Sequence, residues 1–161
     1  MAYLEEIMTY KQQLMYMFLQ SKEIVELINN PESENLSETN IFMYYYVPDT
    51  ITTVGTYICF DLYAPRVQDR LLKNVELRID IFSHQNSMST GLGYTRVDKL
   101  QSIIDKMLNG NKQFGIEEIE LKSNVPLVVN NTHRGKTLYY QVLNFNQDKL
   151  KGTLKYENQS W

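Results

Sequence analysis

The chain has one cysteine, Cys59, which excludes an intrachain disulfide and a cysteine-rich zinc centre. A reducing compartment fits such a chain. Cys59 reads as a small buried hydrophobe in a strand rather than as a reactive thiol. Basic residues do not dominate either. The net charge of -3 argues against a protein built to grip nucleic acid along one basic face, though it leaves room for a local basic patch. No apolar run approaches the roughly 20 residues of a membrane span, so no membrane partner is expected. Nor is a signal peptide expected. Glu5 and Glu6 stand where a basic segment would lie, and no small-residue cleavage site follows an apolar core. The triplets Asn35-Leu36-Ser37, Asn130-Asn131-Thr132 and Asn158-Gln159-Ser160 then read as chance matches to the glycosylation pattern. Neither histidine lies near a Gly-x-Ser-x-Gly elbow, because the chain has none, so nucleophilic catalysis has little support.

What is present is ordinary globular material. The 161 residues, 43% apolar and 22% charged, are enough for one domain with a real core, taken as residues 1–161. Twelve tyrosines are unusual. They suit an interface, where tyrosine offers large area at low entropic cost, and they suit the outer faces of strands. Both readings stay open.

The stretch from Asn74 to Gly110 organises the rest. Val75, Leu77, Ile79 and Ile81 alternate with Glu76, Arg78 and Asp80, the period of a half-buried strand. A polar loop runs from Ser83 to Gly93. From Thr95 to Asn109 the period becomes helical, with Val97, Leu100, Ile103, Ile104, Met107 and Leu108 on one face. Thr95 and Asp98 resemble a capping box, and Gly110 sits where a helix end wants positive φ.

Around this unit, residues 2–29 read as helical, with Ser21 able to cap a second short helix and Asn29-Asn30-Pro31 as the stop. An exposed polar loop, Glu32–Asn40, precedes a β-prone aromatic segment, Ile41–Val47, and the turn Pro48-Asp49-Thr50. Thr56–Tyr63 is a strand ended by Ala64-Pro65-Arg66, and it pairs most simply antiparallel with the strand from Val75. Glu117–Ser123 is a half-exposed strand that Pro126–Val129 extends past a break. Asn130–Lys136 reads as a basic hairpin tip and Leu138–Phe145 as the last long strand. A tail, 146–161, carries a short strand at Thr153–Tyr156 and ends in Trp161. The fold class is therefore α+β. A mainly antiparallel sheet of four to five strands, within 41–145, has helices packed on one face.

Two constellations invite chemistry. Asp80 and His84 share a strand face, and with Asp61 they offer ligands for Mg²⁺, Mn²⁺ or Zn²⁺, as in a small metal-dependent nuclease. A solvated or interface-facing strand surface is the simpler reading, so no cofactor or metal is assigned. Gly91-Leu92-Gly93 lacks a dinucleotide fingerprint and reads as loop freedom. His133-Arg134-Gly135-Lys136 reads as a solvated tip that can contact a partner.

Val75-Glu76-Leu77-Arg78-Ile79-Asp80-Ile81-Phe82, followed by Thr95-Arg96-Val97-Asp98-Lys99-Leu100 and by Ile104-Asp105-Lys106-Met107-Leu108-Asn109-Gly110, resembles the tail-terminator family of long-tailed bacteriophages. The element order of most of the chain is similar too. The resemblance implies a tail-terminator-like fold and a structural protein of the virion, assembled in the host cytoplasm. It implies a homo-oligomer, a hexameric ring of the neck that ends tail-tube growth and joins the tail to the head connector. Its partners would be the tail tube protein and a head connector or stopper protein, with DNA passing through the lumen. Candidate subunit or partner contacts are His84, Gln85, Asn86, Met88, His133, Arg134, Lys136, Tyr44 and Tyr46. Alternatives are a stopper or adaptor ring of the neck, the nuclease centred on Asp61, Asp80 and His84, and a monomeric regulator or inhibitor that binds a host protein.

Overall fold

The strand that opens the organising unit is the centre of the sheet. In the computed structural model, which describes residues 4–28, 40–45, 54–68 and 71–145, the sheet has five strands and three α-helices accompany it. The helices are α1 (Glu5–Gln20), α2 (Lys22–Ile28) and α3 (Arg96–Leu108). The strands are β1 (Ile41–Phe42), β2 (Thr56–Val67), β3 (Leu72–His84), β4 (Glu120–Val128) and β5 (His133–Phe145), in the spatial order β1-β2-β3-β5-β4. The reading of 146–161 as a tail with a strand, the turn at Pro48, the helix stop at Pro31 and most of the Glu32–Asn40 loop lie outside the described residues.

β3 pairs antiparallel on both sides, Ile79 opposite Phe60 of β2 and Leu138 of β5. The expected mainly antiparallel sheet is corrected to a mixed one, because β1 joins β2 in parallel, Ile41 opposite Ile58. The Asn40 carbonyl accepts the Ile58 N–H at 2.9 Å, which locks that short edge in place.

The period of two decides which face is covered. Val75, Leu77, Ile79 and Ile81 of β3, Ile58, Phe60 and Leu62 of β2, and Leu138, Tyr140 and Val142 of β5 form one buried cluster. Ile7, Leu14 and Phe18 of α1, Ile24 and Ile28 of α2, and Leu100, Ile104 and Leu108 of α3 complete it. All three helices therefore lie on one side of the sheet. Ser21 separates the first two. Its extended backbone ends α1, and its hydroxyl accepts the Ile24 N–H at 3.4 Å to begin α2. Thr95 caps α3 by accepting the Asp98 N–H at 3.1 Å, and Gly110 beyond its end has φ 83°. Arg96 ties the two helical units together through its bond to the Leu27 carbonyl at 3.2 Å.

β1 stops at Phe42 and β4 begins at Glu120, both shorter than the periodicity reading, and three further differences have a local reason. β2 continues through Pro65 to Val67, because the register shifts between Tyr63 and Arg66 and the proline falls in the bulge. β4 is continuous through Pro126, which an edge strand tolerates since its missing N–H need not serve a second neighbour. β5 begins at His133, so the supposed hairpin tip is largely strand. There Gly135 lies opposite Phe82, and a Cβ on it would overlap the Ile81 carbonyl oxygen and the Phe82 Cα. Only glycine allows that approach.

Candidate functional site

The even-numbered residues of β3 face away from the helices, and this second face carries most of the polar side chains that the sequence singles out. At one end Tyr57, Cys59 and Phe82 are buried against Phe42, Leu127 and Val129. The Tyr57 and Phe82 rings stack with centroids 5.4 Å apart. His84 lies opposite His133 in the β3–β5 register, and their rings meet edge to face at 5.0 Å. Asn130 Oδ1 lies 3.1 Å and Thr132 Oγ1 3.0 Å from His133 Nδ1, and Asn130 Oδ1 also accepts the His133 and Thr132 N–H groups. His84 Nδ1 accepts the Asn86 N–H at 3.0 Å. The two histidines thus shape the turn and the hairpin beside them. They are 4% and 0% exposed, and this corrects their expected place on docking loops.

Next along the face comes a polar ladder. Asp80, 3% exposed, accepts the Thr137 hydroxyl at 2.7 Å and the Arg78 Nε–H at 3.2 Å. The Arg78 guanidinium lies 5.8 Å from the Tyr45 ring and 5.9 Å from the Tyr139 ring. Burial works against the Arg78 charge, but Asp80 outweighs it and holds the group above its ordinary pKa. One step further the Tyr63 hydroxyl donates to Glu76 at 2.8 Å. Burial, then that carboxylate, raises the Tyr63 pKa above its usual value. Tyr45, Cys59, Tyr63 and Arg78 wall an open cleft of about 190 Å³ over this ladder.

The proposed metal ligands are not gathered. Asp61 is exposed and pairs with Lys11 of α1 at 2.9 Å, Asp80 is spent on Arg78 and Thr137, and His84 turns to Asn86. No cluster of three or more His, Cys, Asp or Glu placed to hold a metal occurs among the described residues. The reading of Asp80 as solvated surface is corrected as well, since it is buried.

The other expected contact residues separate into groups. Gln85 and Asn86 are exposed on a single 3₁₀ turn after β3. Met88 is half-buried and packs against the main core, so it anchors the loop rather than offering a contact. Arg134 is exposed and Lys136 partly so, opposite Ser83 and Ile81 in register, which puts both on the helix-bearing side. Tyr44 is 57% exposed beside β1, and Tyr46 lies outside the described residues. The sequence reading missed Tyr45, Tyr139 and Thr137 as a set. Their signal was the spacing of Thr137 and Tyr139 on β5, directly opposite Asp80 and Arg78.

A family model, YomW, matches residues 5–142, nearly the whole described region. No curated protein matches the chain. No helix among the described residues is long and apolar enough to cross a membrane.

Proposed function

Because the chain belongs to the phage-derived YomW family, we propose that it is a non-enzymatic structural protein of a long-tailed phage particle. In this reading it is a subunit of a neck ring that ends tail-tube growth and joins the tail to the head connector. The observation that carries the reading is the helix-free face of the sheet. Two of its carboxylates are held in fixed pairs, Asp80 with Arg78 and Asp61 with Lys11 of α1, and a third, Glu76, accepts the Tyr63 hydroxyl, while tyrosines crowd the same surface. Such a face suits recognition of a protein surface, where tyrosine and arginine are enriched. A catalytic site instead needs groups left poised to act on a substrate. The resemblance of the β3–α3 unit to tail terminators adds the ring geometry and the hexameric state. The net charge of -3 suits a lumen through which DNA passes without sticking.

Negative-stain imaging combined with light-scattering mass tests the proposal. Rings of a fixed subunit number are expected, alone or once the tail tube protein is added. A chain that stays monomeric with and without the tube protein refutes the ring and favours a monomeric binder. DNA cleavage that requires Mg²⁺ and disappears in Asp80→Ala refutes the non-enzymatic assignment. Binding to the head connector but not to the tube moves the ring to the stopper or adaptor position.

A further inference from the structure

The loop between β3 and α3 carries Leu92, the most exposed of the large apolar side chains among the described residues, with 71% of its surface open. A loose loop would fold back to bury it. This loop is instead held out by its own bonds. Ser89 and Thr95 form a bridge, the Met88 carbonyl accepts the Arg96 N–H at 2.9 Å, and Thr90 donates to the Tyr94 carbonyl at 2.7 Å. The Leu92 N–H bonds back to the Thr90 hydroxyl at 3.2 Å. Gly91 and Gly93 flank the leucine at φ 75° and 87°, and a Cβ on either would meet nothing within 4 Å. The result is a free-standing finger with an apolar tip. Beside it the Lys99 ammonium lies 5.7 Å from the Tyr94 ring, with no carboxylate at ion-pair distance among the described residues. Met88 roots the finger on the helix side of the sheet.

The opposite side of the sheet holds the cleft of about 190 Å³ walled by Tyr45, Cys59, Tyr63 and Arg78. A cavity of about 150 Å³ accommodates a benzene ring, so this one has room for a leucine side chain. Next to it Glu76 accepts the Tyr63 hydroxyl and has no cation at ion-pair distance among the described residues. Asp61 and Asp80 also line the cleft, but each is already paired, with Lys11 and Arg78, so the acid left for a second copy is the neighbouring Glu76, and it complements Lys99 beside the apolar finger. Finger and cleft lie on opposite sides of one molecule and cannot meet within it.

We propose that Leu92 of one copy seats in the Tyr45–Tyr63–Arg78 cleft of a second copy, with Lys99 of the first facing Glu76 of the second. The contact is head-to-tail, so its repetition closes a ring when the rotation between copies allows. This inference rests on the ring reading and names the contact that makes the ring.

The test uses the full chain and light-scattering mass across a concentration series. Leu92→Glu spoils the finger and Tyr45→Lys puts a like charge at the cleft. Both positions are exposed, and circular dichroism checks that each variant folds. Each variant alone is expected to fall to a monomer. Their mixture is expected to form a dimer and nothing larger, since one intact finger then meets one intact cleft. If Leu92→Glu keeps the wild-type oligomer, the finger belongs to a different protein and the proposal is overturned while the ring reading stands. If both variants are monomeric but the mixture gives no dimer, the two sites are not partners. A monomeric wild type overturns the proposal and self-assembly together.

Discussion

Asp80 separates the structural reading of the helix-free face from the metal-site reading. Its side chain is 4% exposed, and it accepts from Thr137 Oγ1 at 2.7 Å and from Arg78 Nε at 3.2 Å. Asp80→Ala orphans the buried Thr137 hydroxyl, which costs about 1–3 kcal/mol. The Arg78 side chain is 39% exposed and recovers water on its Nε, so the lost ion pair adds about 1 kcal/mol at most. Against both, the desolvation cost of the buried carboxylate disappears with it. The expected net loss is about 2 kcal/mol. Asp80→Asn is expected to lose about 1 kcal/mol, because the amide oxygen still accepts from Thr137. Adding Thr137→Val to Asp80→Ala removes the orphan and should return about 1 kcal/mol, so the two single losses are not additive.

Urea unfolding of the four proteins in this cycle, with EDTA and again with Mg²⁺, gives the coupling directly. The reasoning fails if Asp80→Ala lies within about 0.5 kcal/mol of wild type, or if the single effects simply add. It fails in another way if Mg²⁺ stabilises the wild type and not Asp80→Ala, since Asp80 would then be a ligand.

Gly135→Ala is expected to cost about 3 kcal/mol in urea unfolding, because the new methyl group collides with the β3 backbone at Ile81 and Phe82; a loss under about 1 kcal/mol would mean that the strands part cheaply there. Gln101→Leu should raise stability by about 1 kcal/mol, since Gln101 Oε1 is buried without a hydrogen-bond partner, and a lower urea midpoint would contradict this. Burial first, and then the Asp105 carboxylate that accepts its hydroxyl, raise the pKa of Tyr140. A group whose folded pKa is raised stabilises below its unfolded pKa, and that stability is lost above it. Stability should therefore fall above about pH 10, by up to about 1.4 kcal/mol per pH unit from this residue. Tyr140→Phe should flatten that fall, and urea midpoints at pH 9, 10 and 11 check it; equal slopes would refute it.

The parts of the fold that were legible in the sequence are those governed by short-range rules. The alternation Val75, Leu77, Ile79, Ile81 marks one face of β3, and the Thr95 cap and Gly110 bracket α3 to within a residue. Long-range pairing was not legible. Nothing local says that Ile41 runs parallel to Ile58, or that His84 lands opposite His133. Composition misled where it was read as exposure. The run His133-Arg134-Gly135-Lys136 is polar and basic, yet His133 is fully buried by its ring contacts with Tyr57, Phe82 and His84. Asp80 and His84 share a strand face as their spacing requires, but cross-strand partners on β5 decide what each one bonds. Such partners are invisible until the register is known.

The outer strand constrains how such a chain can assemble. β4 is nine residues long and pairs on one side only, with β5, which would ordinarily invite another chain to extend the sheet. Three features work against that. The register shifts between Leu121 and Ser123, Pro126 offers no N–H, and Glu120 and Lys122 set charges along the strand in a pair at 2.8 Å. Bulge, proline and charge are the devices by which edge strands avoid pairing. The other edge, β1, is two residues long. Sheet extension is thus guarded at the β4 edge, while β1 covers only Ile58 and Cys59 of β2 among the described residues, so side-chain surfaces are the route that the β4 side leaves open. The Leu92 finger and the Tyr45–Tyr63–Arg78 cleft are then the natural pair, because each leaves apolar surface in water that a second copy can remove. Replacing Pro126 with Val is the corollary. It supplies the missing N–H and a β-branched side chain at the guarded edge, so it should increase non-specific aggregation without restoring assembly to Leu92→Glu.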